Sequence, residues 1–464
     1  MIFKDNKVSD INIAYIGGGS KGWAWTFMAD LAIDEQMCGR IRLYDIDKEA
    51  AHYNKIIGNS VSDDPDTKGK WNYETADSLK EALTGADFVV ISILPGTFEE
   101  MRSDVHAPEK YGIYQPVGDT VGPGGLVRAL RTIPMFVEIA EAIKQYSPNA
   151  WVINYTNPMS LCVKTLYYVY PDIKAFGCCH EVFGTQKLLA KMCDEMLGIE
   201  NIDRSEINVN VLGINHFTWF DRASYKGYDL FPLYKEFSDR YFEEGCAIKD
   251  DNWMNSPFAC SHRVKFDLFR RYGLIAAAGD RHLAEFVSPV YLKDPETVIS
   301  WGFKLTSVDF RIDDLHKRME KSEQYVSGEK KLDKTPSGEE GILLIKSLLG
   351  LARTVSNVNV PNYGQIANLP IGAIVETNAL FERDHIAPVF SGSVPENVRE
   401  LIAPHIINHD DILHAALTCD RKLAFKAFLN DPLMTIHEAD ALDLFNEMLE
   451  NTKAYLPKDW FPHK

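Results

Sequence analysis

The sequence predicts an α/β fold: a doubly wound parallel sheet formed by residues 1–200, followed by an α+β domain over residues 201–464. Three observations predict it. Short apolar runs alternate with helix-compatible stretches up to about residue 200. One of those runs, residues 87–94 (DFVVISIL), is apolar almost throughout, as a strand buried on both faces requires. Past residue 200 the alternation stops and polar helices dominate. No Pro/Ser/Gly-rich linker separates the halves, which predicts a large shared interface.

In chain order, residues 11–16 read as a strand, followed by glycines and a helix from Trp23. Residues 41–44 form a second strand ending at Asp45, and 87–94 a third. An amphipathic helix covers 133–146, and strands at 151–155 and 174–178 flank a helix over 159–168. A strand over 207–212 leads to Gly213. The charged stretch 322–340 reads as a surface excursion, 342–355 as a strong helix and 361–377 as loops and strands. Helices close the chain.

Bulk properties narrow the function. The formal net charge of −17 argues against a nucleic-acid partner, because phosphate binding needs a basic face. It leaves open an anionic small substrate in a locally basic pocket. No apolar run reaches the roughly 18 residues of a membrane span, and the N-terminus lacks an apolar signal region. The eight cysteines are scattered, often within apolar runs, with no CxxC pair. That is reduced, cytoplasmic usage rather than a disulfide framework.

Five segments carry chemistry. Gly17-Gly18-Gly19-Ser20-Lys21-Gly22 satisfies G-x-G-x-x-G between a strand and a helix, the setting of a dinucleotide-binding turn of the Rossmann type. Glycines there let the backbone approach pyrophosphate, and the helix N-terminus offers unpaired N–H groups. Asp45, at the end of the second strand, is placed to accept from a ribose hydroxyl, which favours NAD over NADP. Asn154 and Asn157, in Asn154-Tyr155-Thr156-Asn157-Pro158, follow a core strand. They are candidates for the nicotinamide amide or sugar hydroxyls, or simply for an Asn-Pro turn. Cys179 and His216 each follow a strand, and a thiolate with an imidazole suits a divalent transition metal with open positions. A buried cysteine and a core histidine are the plainer alternative. The glycine-dense loop 117–125 offers Asp119 as a ligand contact. In 278–286, four ionisable residues (Asp280, Arg281, His282, Glu285) fall within six positions beside a glycine, either as a site or as a solvated cluster.

Together these motifs resemble glycoside hydrolase family four, the NAD- and manganese-dependent glycosidases on a lactate/malate-dehydrogenase-like scaffold. The resemblance rests on the turn at 17–22, GDTxGPGG at 118–125, NYTNP at 154–158, CHEV at 179–182, GINHF at 213–217 and PNxGxIxNLP at 361–370. CHEV, preceded by Cys178 and followed by Phe183-Gly184-Thr185-Gln186, looks most like the α-galacturonidase branch. α-Glucosidases and α-galactosidases of the family are the alternatives. His180 departs from the phospho-glycosidase pattern and argues against a 6-phosphate substrate.

The resemblance implies hydrolysis outside the usual two-carboxylate scheme. NAD+ takes hydride from sugar C3, and a metal held by Cys179 and His216 acidifies the C2 proton. A base removes that proton, the C1–O bond breaks by elimination, water adds and hydride returns. The resemblance further implies Asn157 as a sugar contact, Asp280 as the base with His282 second, and His180 as a candidate leaving-group acid. Arg281 and Arg263 are candidates for a uronate carboxylate. It also implies a homodimer or homotetramer. Two other readings remain: a conventional NAD-dependent dehydrogenase of the lactate/malate type, and a sugar-responsive NAD-binding regulator.

Overall fold

The β–α alternation of the first half folds into strands β1 (Ile2–Lys4), β2 (Lys7–Ile16), β3 (Met37–Tyr44), β4 (Trp71–Thr75), β5 (Phe88–Ile91), β6 (Trp151–Asn154) and β7 (Lys174–Gly177) in a computed structural model. The structure describes residues 1–247, 254, 256–287 and 289–461. β1 is a short antiparallel hairpin partner of β2. The other six run parallel in the spatial order β4-β3-β2-β5-β6-β7. The order reverses between β2 and β5, and ligands of such sheets bind in the crevice beyond the strand ends at that reversal.

Period-two side-chain direction explains why both faces are covered. Ile13, Tyr15, Val90, Ile153 and Phe176 pack into one apolar core. Their immediate neighbours Ala14, Ile16, Val89, Ile91, Val152 and Ala175 pack into another on the opposite face. All four residues of β5 are buried, as expected for the DFVVISIL run.

The second half supplies β8 (Ile207–Ile214), β9 (Phe217–Tyr225), β10 (Tyr228–Asp229) and β11 (Ile275–Ala276), which form a four-stranded antiparallel sheet. Three later strands, β12 (Thr354–Pro361), β13 (Ile374–Glu382) and β14 (His385–Pro388), do not stay with it. β12 joins β7 antiparallel through Asn359 and Gly177, extending the first sheet to ten strands. Residue 200 therefore separates parallel from antiparallel strands without separating the sheets. Asn378 on β13 ties the two together, accepting from Val211 N at 2.9 Å and donating to Val209 O at 3.2 Å.

The helix expected over 342–355 is the shorter Gly341–Leu348. Gly350, at φ 78°, turns the chain, and β-branched Thr354 and Val355 then pair with Phe381 and Leu380. The charged excursion before it is anchored rather than free: Lys331 and Lys334 lie 2.9 and 3.4 Å from the Asp64 carboxylate. No helix among the described residues is long and apolar enough to cross a membrane.

Candidate active site

The glycine turn sits at the sheet reversal and has no space for side chains. The Gly17 and Gly18 amides both donate to Tyr44 O at 2.9 Å, and Ser20 N closes the turn on Gly17 O at 3.0 Å. Gly17 has φ +92°, and a Cβ there would lie 1.9 Å from Ser92 O. At Gly19 a Cβ would lie 2.9 Å from Asp45 Oδ2, which accepts the Gly19 amide at 2.8 Å. Gly22 caps the helix Trp23–Ile33, with Arg318 lying against its Cα. The sequence reading missed Asn54. Its buried amide donates to Gly18 O (2.7 Å) and Ser20 O (3.0 Å) and accepts from Trp25 Nε1 (2.8 Å). Nothing local to Asn54 signals this clamp, because its partners lie more than twenty residues away.

Beyond the end of β6 the two asparagines separate in role. Asn154 is fully buried, and its side chain is closed on its own turn: Oδ1 accepts from Thr156 N, and Nδ2 donates to Thr156 O, both at 3.0 Å. It cannot also meet the nicotinamide or a sugar, so the expected ligand contact is corrected to a turn residue. Asn157 does face the site. Its Nδ2 donates to Asp119 Oδ2 at 3.2 Å, and its Oδ1 is buried without a partner.

Asp119, His216 and His282 converge, with one potential ligand atom from each lying within 4.8 Å of the others. His216 occupies the two-residue turn of the β8–β9 hairpin at φ 65°, a left-handed conformation that such turns demand. Its ring lies 3.8 Å from that of His282. Thr120 Oγ1 donates to Asp119 Oδ1 at 2.7 Å and lies 2.9 Å from His216 Nδ1. A hydroxyl has one hydrogen. With it directed to the carboxylate, Thr120 accepts from His216 Nδ1–H, leaving the Nε2 lone pair for a ligand.

Electrostatics match that assignment. Burial, reinforced by His282 and opposed by Asp119 and Glu181, pushes His216 down to about 3, so it is neutral at pH 7. Burial also lowers His282. Burial by itself would raise the Asp119 carboxyl, but His216, His282 and Arg128 outweigh it and hold it below the usual carboxylate range.

Cys179 lies on a neighbouring wall and does not join this triad. Its thiol, pushed up by burial and by Glu376 and Glu181, is hydrogen-bonded by Asn215, the residue before His216. Buried Glu376 accepts from Asn215 (3.2 Å) and Asn357 (2.7 Å) and is raised to about 7 by burial. Glu181, the unassigned third residue of CHEV, accepts from Gly279 N at 2.6 Å and lies 3.7 Å from His282 Nε2. Burial opposes its ionisation, but His282, His180 and His216 prevail and bring it down to about 2. His180 is half exposed, pairs with Glu339 at 3.1 Å and is raised to about 9, chiefly by that bond. It is a cation at the mouth.

Asp280 is the main correction. Its carboxylate accepts from Val264 N and Lys265 N, both at 3.2 Å, and clusters with Cys260 and His262 instead. It and His282 are two positions apart on the helix Asp280–Phe286, about 200° around the axis, so they point to opposite sides. The expected base therefore faces away from His216, and His282 is the residue of this helix that lies with it. Arg263 is also excluded as a carboxylate receptor: it donates to Phe242 O at 2.8 Å and to Ser300 O, and lies 3.7 Å from Glu243.

Relatives agree with this architecture. Residues 12–195 match the family 4 glycosyl hydrolases, and residues 211–434 match the C-terminal domain of that family. An alpha-galacturonidase of Lachnoclostridium phytofermentans is 64% identical, over 99% of this chain and 100% of that one. The crystal structure of lplD from Bacillus subtilis is 54% identical, with a TM-score of 0.92 over 95% of this chain and 100% of that one. A 6-phospho-alpha-glucosidase from gut microorganisms, solved with NAD and Mn2+, shares the fold at 20% identity, with a TM-score of 0.81 over 97% and 99% of the two chains. With both halves matched and near-complete coverage of close relatives, the chain belongs to glycosyl hydrolase family 4 and is a glycoside hydrolase.

Proposed function

We propose that this enzyme hydrolyses α-galacturonides by the oxidation–elimination route, with NAD+ and a divalent ion such as Mn2+ as resident cofactors. The observation that carries the reading is end-to-end similarity to an alpha-galacturonidase together with a neutral histidine pair at the sheet's crevice. The residues present fit both groups. A turn with no space for a Cβ at Gly17, Gly18 or Gly19, with Asp45 at the next strand end, suits a dinucleotide. An imidazole held neutral beside an ionised carboxylate, with a thiol on the neighbouring wall, suits a divalent transition ion.

His216 and Asp119 would hold the ion, with Cys179 as the thiol ligand. When bound, NAD+ supplies a reversible hydride acceptor and the ion a Lewis acid. The chain's own groups do the rest. Asn157 Oδ1, buried and unpartnered, accepts from a sugar hydroxyl. His282, unprotonated at neutral pH and with a partnerless Nδ1, takes the C2 proton. His180, protonated beside the exposed rim, is placed to donate to the departing oxygen.

Purified protein assayed on α- and β-linked galacturonides, glucuronides, glucosides and galactosides, with and without NAD+, Mn2+ and a thiol reductant, tests this. The expected result is sugar release from the α-galacturonide only with all three present and no net NADH. Net NADH without cleavage would mean a true dehydrogenase.

The cofactor assignment has its own check. Gly19→Ala places a methyl against Asp45 Oδ2 and 2.7 Å from Ala50 Cβ, so the carboxylate must shift. NAD+ affinity is expected to fall at least about tenfold, equivalent to ~1.4 kcal/mol, in a fluorescence titration. An unchanged Kd would remove the turn from the nucleotide site.

A further inference from the structure

Arg311 is a partly buried cation whose inner donors have nothing to hold. It stands in the first turn of the helix Val308–Val326, and its Nε and Nη2 are buried without hydrogen-bond partners. A guanidinium offers five donors, and leaving them unmet in a desolvated place is costly unless a ligand completes them. Arg281 is beside it. That residue is 8% exposed and is held by Pro116 O (3.0 Å) and Thr306 Oγ1 (2.6 Å) through Nη2, while its Nε has no partner. The two side chains feel each other and both feel Asp119, which places them at the active site rather than on a remote wall.

The helix carrying Arg311 also gives the direction. Seven residues on, Arg318 donates to Lys21 O at the glycine turn. Seven residues of helix span about 10 Å, so Arg318 marks the nucleotide end of the crevice and Arg311 the sugar end. Neither Arg281 nor Arg311 has a carboxylate at ion-pair distance among the described residues. Glu285, the other nearby acid, accepts from Val117 N at 2.6 Å and is raised by burial to about 8, so it is mainly neutral at pH 7. Asp119 acts on both guanidinium groups and ionised Glu181 acts on Arg281, so Arg311 has the lesser counter-charge of the two.

We propose that Arg311, with Arg281 beside it, receives the carboxylate of a uronic acid substrate and sets the preference for uronides over neutral hexosides. The proposal deepens the galacturonidase reading and rests on it. A planar fork matches a carboxylate through two parallel hydrogen bonds, and a site built to pair a buried charge rejects the analogue that lacks it.

The test compares wild-type holoprotein, loaded with NAD+ and Mn2+, with Arg311→Gln and Arg311→Lys. Substrates are p-nitrophenyl α-galacturonide and p-nitrophenyl α-galactoside. Calorimetric binding of free D-galacturonate and D-galactose provides a readout independent of turnover. Arg311→Gln is expected to lower galacturonide kcat/KM on the order of 10²–10³-fold and to abolish galacturonate binding. Any activity on the galactoside and the NAD+ affinity should remain unchanged. Arg311→Lys keeps the charge without the fork and should fall between. Equal losses on both substrates, or undiminished galacturonate binding in Arg311→Gln, overturn the proposal while leaving the galacturonidase reading intact. Wild-type turnover of the galactoside but not the galacturonide overturns both.

Discussion

Replacing His216 by alanine is expected to lower kcat/KM by about 10³-fold or more while NAD+ affinity stays unchanged. The imidazole sits in a hairpin turn at positive φ, is held neutral by burial and has its Nδ1–H engaged by Thr120, which leaves its remaining nitrogen available to the proposed ion. Removing a direct metal ligand forfeits Lewis-acid stabilisation worth several kcal/mol, and each 1.36 kcal/mol is a factor of ten in rate. Thr120→Val leaves the ligand but frees its tautomer and should cost about 10–100-fold. Cys179→Ser should abolish turnover with NAD+ affinity nearly intact. The measurement is steady-state turnover at saturating NAD+, paired with Mn2+ binding followed by electron paramagnetic resonance. Weakened Mn2+ binding in step with lost activity is the expected pattern. Full activity in either variant would remove the metal assignment.

The second large effect concerns stability. Arg131 and Asp104 form an ion pair with no exposed side-chain surface on either partner. Nη1 donates to Asp104 Oδ1 at 3.0 Å, Nη2 donates to Oδ2, and Nε donates to Pro95 O at 2.8 Å. The pair joins the helices Phe98–His106 and Gly122–Tyr146, the second of which begins just past Asp119. Burial pushes the Asp104 carboxyl up and Arg131 pulls it back. Arg131→Met leaves that acid buried without its countercharge and should destabilise by ~3–5 kcal/mol. Asp104→Asn added to it removes the orphaned charge and should recover part of the loss. Thermal and urea unfolding of the three proteins checks this. A melting temperature unchanged in Arg131→Met would show that water or a neighbouring group satisfies Asp104.

Two of the three candidates that the structure turns away from the site share a cause. Asn154 and Asp280 were singled out because their residue types and neighbours suit a site, and both lie next to one. Asn154 closes on Thr156 within its own turn, and Asp280 is rotated half a helical turn from His282. Residue type and sequence proximity place a side chain in a region. Its direction depends on backbone rotation and on which amides claim it first. Glu181 illustrates the converse: it was visible inside CHEV, yet its role emerged only once Gly279 and three histidines surrounded it.

By itself the sequence determined the strand–turn–helix at 11–33, the buried parallel strand at 87–94, the cofactor half and the family, because these rest on local periodicity and on short contiguous motifs. The tertiary structure decided three other things. It carried β12–β14 across to the first sheet, where β12 pairs with the edge of β7. It assembled Asp119, His216 and His282 from a loop, a hairpin turn and a helix remote in sequence. It left Arg311, on a largely charged helix, with its Nε and Nη2 buried and unpartnered within the electrostatic reach of Asp119. Burial and long-range approach set all three, and neither is encoded in any single window of the chain.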